Sequence, residues 1–498
     1  MKITRMRAML WIGAAAALLL APCLYAQTTG KVEVDWSKVQ EVSKTTPTLQ
    51  VVVNPPLRRG SKIHDRVFEN LKALGADYVR YVPWLPYPKL GVAELEPPAD
   101  GKTSWNFSLI DPMMEDFMNA QAGHSVVINF STIPQWMWKT KKPVAYPADP
   151  DQVDWNYEQG TELRDPSMKE VADYYARLAS WYTQGGFTDE EGKRHESGHH
   201  YKIQYWEVLN EVDFEHGMTP EFYTRLYDAV TAAVHKVDPG IKFVSAALAA
   251  PSVNPKFFEY FLDHRHHKAG TPLDVISYHF YAGPSPSQDL NDWQYTFWDQ
   301  AERFLDTVRY IQAIRQRLSP ETLTDTNELG CILPYDTEDH LVRPIPNAYW
   351  NLCGAMYAYL YVELAKQGIE VAGESQLVGY PTQFPSVSMV DWATGQPNAR
   401  FWVLKLLHDN FGPEDKLVKT DGSSEAAYAQ GFMTKSGQHK LLLINRRNRP
   451  VTISLPGAAG ATEQYVNEET AESGVGLARL ARDETALGPF EVSVIKMK

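Results

Sequence analysis

Two glutamates stand where they could share one reaction. Glu211 closes the stretch Tyr201–Glu211, YKIQYWEVLNE, and Glu328 follows the run Thr324–Asn327. Each ends a short segment that reads as a strand, aromatic and β-branched in the first case and Thr-rich in the second. A buried strand has no structural need for Asn210-Glu211 at its tip. Two carboxyl groups that face each other can divide labour. One, protonated, gives its proton to a leaving oxygen; the other, ionised, attacks carbon or activates water. Their mutual repulsion raises one pKa and so separates the roles. The plain alternative is that the strand exits into solvent and Glu211 is a surface acid. Glu374, in Gly373-Glu374-Ser375, is the rival to Glu328 if the strand count is displaced by one. Glu207 lies further back on the strand of Glu211 and reads as a carboxylate bonded inside the fold.

The elements that must position these groups alternate. Eight strands are predicted at Leu49–Val53, Tyr78–Val82, Ser125–Phe130, Tyr201–Glu211, Ile241–Ala246, Leu273–Tyr281, Glu321–Asn327 and Ile369–Ala372. Helices are predicted between and after them at Ile63–Leu74, Phe107–Ala122, Met168–Tyr182, Pro220–Val237, Pro255–His264, Asp292–Arg317, Asn347–Gln367 and Asn398–Phe411. Eight strand–helix units close naturally into a (β/α)8 barrel, spanning residues 45–412. In such a barrel chemistry sits at the C-terminal ends of the strands. Strands four and seven are nearly opposite, so Glu211 and Glu328 can converge over the mouth. From about Asp415 the texture changes to short alternating segments, Ala426–Phe432, Lys440–Asn445, Val451–Leu455, Thr462–Tyr465 and Val492–Met497, separated by turn residues. Residues 413–498 therefore read as an antiparallel β-sandwich, with residues 28–44 available to complete it.

Residues 1–26 have the form of an export signal. Lys2, Arg5 and Arg7 precede the apolar run Ala8–Leu20, and Leu24-Tyr25-Ala26 fits a cleavage site. The run is short for a membrane span. Cys23 suggests a lipid anchor, but Pro22 before it does not suit one, so export to periplasm or medium is the expectation. The formal charge is −13, and losing the three basic residues of the leader would take it to −16. That argues against nucleic acid and anionic membranes as partners. Fourteen Trp and 26 Tyr suit both a large aromatic core and stacking on sugar faces. Cys331 and Cys353 can form one bridge or remain buried thiols. Neither their spacing nor the loop histidines His195, His199 and His200 fit a metal site, and no metal or cofactor is expected.

At the predicted mouth, Trp84, Trp136, Trp138, Asp213, His216, Tyr380 and Trp392 lie in loops after strands and together could line a groove. Arg80, on strand two, could bond a carboxylate or a sugar hydroxyl from inside the barrel. Arg58 and Arg59 could read an anionic sugar, or simply face solvent.

Asn-Glu at the tip of strand four with Glu at the tip of strand seven resembles the clan A retaining glycoside hydrolases. Within that clan four segments resemble glycoside hydrolase family 39, the group of β-xylosidases and α-L-iduronidases. They are Tyr205–Glu211 (YWEVLNE), Asp274–Tyr281 (DVISYHFY), Thr324–Gly330 (TDTNELG) and Val390–Gly412. The last is also similar to family 51. Val212-Asp213 after Glu211 and Asn327 before Glu328 depart from the family pattern. The resemblance implies that Glu211 is the acid/base and Glu328 the nucleophile. It also implies that Asn210 bonds the sugar 2-hydroxyl, and that His279 and Tyr281 orient Glu328. Arg80, Trp136 and Trp392 complete the expected substrate contacts. The implied substrate is an oligo- or polysaccharide of xyloside or uronide type. An endo-acting hydrolase, a transglycosylase and a non-catalytic carbohydrate-binding barrel are the alternatives. A lipase-like hydrolase is disfavoured, since no Gly-x-Ser-x-Gly occurs.

Overall fold

The computed structural model describes residues 29–142, 146–155, 157, 160–336, 344–470 and 473–497. The expected leader, with Cys23, lies outside them. Eight parallel strands form a closed barrel: Thr46–Val52, Val79–Val82, Val126–Ile128, Tyr205–Val208, Lys242–Leu248, Val275–Ala282, Leu323–Cys331 and Val371–Glu374. Each pairs with the next in sequence, and strand eight closes onto strand one through Val371↔Thr46 to Glu374↔Leu49. The (β/α)8 expectation is met, and all eight strands fall where sequence periodicity puts them.

The helices around the barrel form for local reasons. His64–Leu74 buries Val67, Phe68, Leu71 and Leu74, and stops at Gly75, whose φ of 65° is left-handed. Glycine takes that conformation at no steric cost. Pro220–Val237 begins with proline after Thr219, whose side chain accepts from the Phe222 N–H, a pre-organised start. Leu290–Leu318 opens on a capping box between Asp289 and Asp292. Each Val, Leu or Phe these helices bury contributes about 1.5–3 kcal/mol.

Two boundaries differ from expectation in ways that matter. Strand four starts at Tyr205 and ends at Val208, so Asn210 and Glu211 lie just beyond it. Strand seven continues past Asn327 to Cys331, because its pairing with strand six runs on from His279↔Glu328 to Ala282↔Cys331. Glu328 is therefore held inside a strand.

The C-terminal sheets contain more strands than the pattern showed. A seven-stranded antiparallel sheet runs Gly476–Arg479, Thr462–Val466, Val492–Lys496, His439–Asn445, Ala427–Met433, Lys416–Asp421 and Glu33–Val42. Thr29–Lys31, Val451–Ser454 and Glu484–Leu487 make a second sheet. Glu33–Val42 pairs with Lys416–Asp421, so the N-terminal segment does enter this sheet. The sheets pack on the barrel helices: Arg446 lies 4.7 Å over the Trp298 ring, and the Trp298 indole donates to the Arg446 carbonyl.

Cys331 and Cys353 form a disulfide, Cα atoms 5.9 Å apart, tying the end of strand seven to the helix Asn347–Lys366. The sequence separation of 22 predicts a stabilisation of about 3 kcal/mol by loop closure. Urea unfolding of Cys331→Ser/Cys353→Ser beside the parent should show a loss of that size.

Candidate active site

Arg80 is the centre of the barrel mouth. It sits on strand two, 1% exposed, and every nitrogen of its guanidinium donates a hydrogen bond. Nε donates to Glu207 Oε2 at 2.5 Å, and one terminal nitrogen donates to Glu328 Oε1 at 2.5 Å and to Gln50 Oε1 at 2.7 Å. The other terminal nitrogen donates to Asn210 Oδ1 at 2.6 Å. Residues from strands one, two, four and seven meet on this one cation. Burial works against its charge, but Glu207 and Glu328 outweigh that and raise its pKa further.

Glu207 is bonded inside the barrel, as its position suggested. It accepts from Arg80, Asn129, Ser277 and Asn327. Four donors satisfy a carboxylate and leave it no capacity for chemistry.

Glu328 has a different environment. Its Oε2 accepts from the Tyr281 hydroxyl at 2.6 Å, and that hydroxyl also meets Ser375 Oγ at 2.5 Å. Burial would raise its pKa, but His279, Arg80 and the Tyr281 hydroxyl outweigh burial and lower it. Consecutive residues of a regular strand face opposite ways, yet Asn327 and Glu328 both reach the interior. The strand pairing shifts register between Thr326 and Leu329, and such a bulge re-aims a side chain.

Glu211 approaches from the opposite side. Its Oε1 lies 3.0 Å from His279 Nδ1, and the same nitrogen lies 3.5 Å from Glu328 Oε2. Donor atoms of Glu211, His279 and Glu328 all lie within 4.8 Å of one another. Burial raises the Glu211 pKa, His279 partly offsets this, and the charge of Glu328 adds to the rise. The pair is thus split as acid/base work requires: Glu328 ionised, Glu211 inclined to hold its proton. The same three donor atoms could reach a cation, but both Glu328 oxygens are already engaged by Arg80 and Tyr281. His279 itself is pushed down by burial and pulled up more strongly by Glu328 and Glu211.

The backbone that carries Glu211 is bent. Leu209 and Glu211 have φ of 62° and 41°, and Ala246 and Ala247 on strand five have 78° and 43°. The Glu211 N–H donates to the Ala247 carbonyl at 2.9 Å. Such conformations cost of order 1–3 kcal/mol each and persist where surrounding structure over-determines them.

The other sequence candidates divide. Asn210, His279, Tyr281 and Arg80 are all in the network. Glu374 is not: it is fully buried and its Oε1 accepts from Arg400 Nε at 2.8 Å. Burial pushes it up to about 7, against the pull of Arg400. Trp136 is turned elsewhere, its indole donating to the Glu94 carbonyl and its ring 4.7 Å under Arg164. Trp392 packs against the main core. Trp138 stacks on His216, 4.6 Å between ring centres. Asp213 holds the loop after strand five by accepting from the N–H groups of Ala249 and Ala250. Arg58 pairs with Asp151, and Arg59 with Glu115 and Asp116. Of the loop histidines, His195 pairs with Asp189 and His199 stacks on Tyr182 and Tyr201.

Sequence reasoning missed Glu215, Gln50, Ser375, Trp155 and Phe384. Trp84, Trp155 and Phe384 form an aromatic wall with ring centres 5.6–6.0 Å apart. The Trp84 indole donates to Glu215 Oε1 at 2.6 Å. The one available signal for Glu215 was a further acid in the loop after Glu211.

No protein-family model matches the chain, and no curated protein matches it in sequence. Solved structures do match in fold. The GH51 α-L-arabinofuranosidase of Thermotoga petrophila RKU-1 superposes with a TM-score of 0.61 at 16% identity, over 94% of this chain and 100% of that one. AbfB, a family 51 α-L-arabinofuranosidase of Bifidobacterium longum, gives 0.63 at 14%, over 94% and 99%. A GH30 endoxylanase of Clostridium papyrosolvens C71 gives 0.56 at 13%, over 94% and 100%. The chain shares their fold from barrel to C-terminal sheets.

The Arg400–Glu374 pair makes a clear expectation. Glu374→Ala leaves a buried guanidinium without its partner and should cost about 3–5 kcal/mol in chemical unfolding.

Proposed function

We propose that the chain is a retaining O-glycoside hydrolase of the clan A type, with Glu328 as nucleophile and Glu211 as acid/base. The observation that carries this is the carboxyl pair itself: donor oxygens within 4.8 Å, bridged by His279, with pKa values driven apart. Retaining enzymes hold their carboxyl groups about 5–5.5 Å apart, and inverting ones leave about 6.5–9.5 Å for a water.

In the first step a Glu328 oxygen bonds to the anomeric carbon as the bond to the leaving oxygen breaks, and Glu211 gives that oxygen its proton. In the second, Glu211 takes a proton from water, whose oxygen bonds to the anomeric carbon as the Glu328 ester bond breaks. Arg80 and Tyr281 hold Glu328 ionised and aimed, and Asn210 presents an amide beside it. No metal or organic cofactor enters these steps.

The fold and the names of the similar structures, arabinofuranosidases and a xylanase, favour pentose-containing oligo- or polysaccharides. They support a pentoside substrate over a uronide. Arg58 and Arg59, the cations that could have read a uronate, are paired with surface acids away from Arg80. Residues 45–412 would form the catalytic barrel, and 413–498 with 28–44 an accessory sandwich. The leader over 1–26 would export the enzyme to periplasm or medium. No helix among the described residues is long and apolar enough to cross a membrane.

Aryl xyloside, arabinofuranoside, glucoside and glucuronide test the reading. One pentoside should be cleaved, and Glu328→Ala should lose about 10⁴-fold or more in kcat. Azide should then restore turnover with inverted product. Loss of activity in Glu374→Gln but not in Glu328→Ala would reverse the assignment. The pH profile of kcat/KM should be a bell. Activity falls below the lowered pKa of Glu328, which must be ionised, and above the raised pKa of Glu211, which must be protonated.

A further inference from the structure

Glu215 is the acid that neither the strand pattern nor the family resemblance assigns. It lies on the turn that follows Glu211, its N–H donating to the Glu211 carbonyl at 2.7 Å. One of its oxygens, Oε1, serves two donors from different parts of the mouth: Trp84 Nε1 at 2.6 Å and Asn210 Nδ2 at 2.8 Å. Its other oxygen is buried and has no partner among the described residues.

The consequence for Asn210 is specific. Its amide oxygen is taken by Arg80 at 2.6 Å, and one amide hydrogen by Glu215. A primary amide has two hydrogens, so a single N–H is left to point at a sugar. Both orientation and the identity of the free group are thereby fixed, since a flipped amide would set N–H against N–H at Arg80. The Trp84 ring is fixed by the same oxygen, and through it the wall it forms with Trp155 and Phe384.

We infer that Glu215 is a positioning residue that couples an aromatic sugar-binding wall to the catalytic pair, by fixing Trp84 and Asn210 from one carboxyl oxygen. This rests on the glycosidase reading. Its substrate is then a sugar with a hydrogen-bond acceptor next to the anomeric carbon. A 2-deoxy sugar leaves the Asn210 N–H unanswered.

The charges that face Glu215 agree with this geometry. Burial and the neighbouring Glu211, with Glu328 behind it, push it up to about 8, while the bonds from Asn210 and Trp84 pull it down. Arg80 lies beyond Asn210, and His216, next in the chain, is held down to about 4 by burial and so is neutral. That rise favours the protonated form of Glu215. Its carbonyl oxygen accepts both bonds without adding a negative charge beside Glu211 and Glu328.

The test is steady-state kinetics of Glu215→Ala, Glu215→Gln and Trp84→Phe on the substrate the parent cleaves and on its 2-deoxy analogue, with thermal melting alongside. Glu215→Ala should raise KM and lower kcat/KM about thirtyfold, the scale of two lost hydrogen bonds to a buried group. Glu215→Gln keeps an acceptor oxygen and should lose several-fold less. The preference for the 2-hydroxy substrate in the parent, of the order of 10⁴-fold, should shrink in Glu215→Ala. An ionisation near pH 8 in the parent profile should be absent from Glu215→Gln. If Glu215→Ala lowers melting temperature and active fraction but leaves KM and the 2-deoxy preference as in the parent, Glu215 is only structural and the inference fails, while the glycosidase reading stands. If Gln and Ala behave alike, the shared-acceptor role is excluded. If the parent cleaves no glycoside and no sugar shows ligand-observed NMR contact to it, both readings fall together.

Discussion

One buried cation sets the terms for this structure. Arg80 cannot lose its proton, and at 1% exposure it cannot be hydrated, so it must be surrounded by acceptors. The barrel supplies four: Glu207, Glu328, Gln50 and Asn210. Glu207 answers the charge and is itself saturated by other donors. Glu328 answers it with one oxygen and accepts from Tyr281 with the other. The attraction between Arg80 and these acids offsets a large desolvation penalty, and removing Arg80 would leave two buried carboxylates without their cation. What looks like a stabilising network is better read as a device for holding Glu328 ionised in a place where water would otherwise be needed to keep it so.

The opposite requirement is met on the other side of the mouth. Glu211 hangs from a backbone bent at Leu209 and Glu211 and braced by the equally bent Ala246 and Ala247. Among the described residues no guanidinium reaches it; its side-chain partner is His279, shared with Glu328. Two carboxyls of one chemistry are thereby made unlike by their neighbours alone. The local strain and the bulge near Glu328 are the structural terms of that difference, since regular strands would aim neither group at the other.

The eight strands were legible because buried parallel strands are short apolar runs and their helices carry clear stops, such as Gly75 and Asp238-Pro239-Gly240. Glu211 and Glu328 were legible because polar tips on such strands are unusual. Asn210, His279 and Tyr281 came from the family resemblance and Arg80 from its inward place on strand two, and all four converge. Trp136 and Trp392 show its limit: an aromatic residue in a loop near the mouth can turn to pack on Arg164 or on the core, and nothing in its spacing says which. Glu374 shows another. In the sequence it follows a predicted strand just as Glu328 does, and only the placement of Arg400, on a later helix, reveals that it is paired there. Glu215 was invisible because its role comes from two donors distant in sequence, Trp84 and Asn210. The strands Lys416–Asp421, Gly476–Arg479 and Glu484–Leu487 were missed because charged and small residues there blur the alternation that marks a half-buried strand.

The central claim is that Glu328 forms a covalent bond to the sugar. The most direct measurement is mass spectrometry of the protein after incubation with 2-fluoro glycosides of the tested sugars, followed by mapping of the labelled peptide. The account expects one sugar per chain, attached through the side chain of Glu328, with Glu211 unmodified. Attachment to Glu374 or to any other carboxylate, or continued turnover with no label, would contradict it.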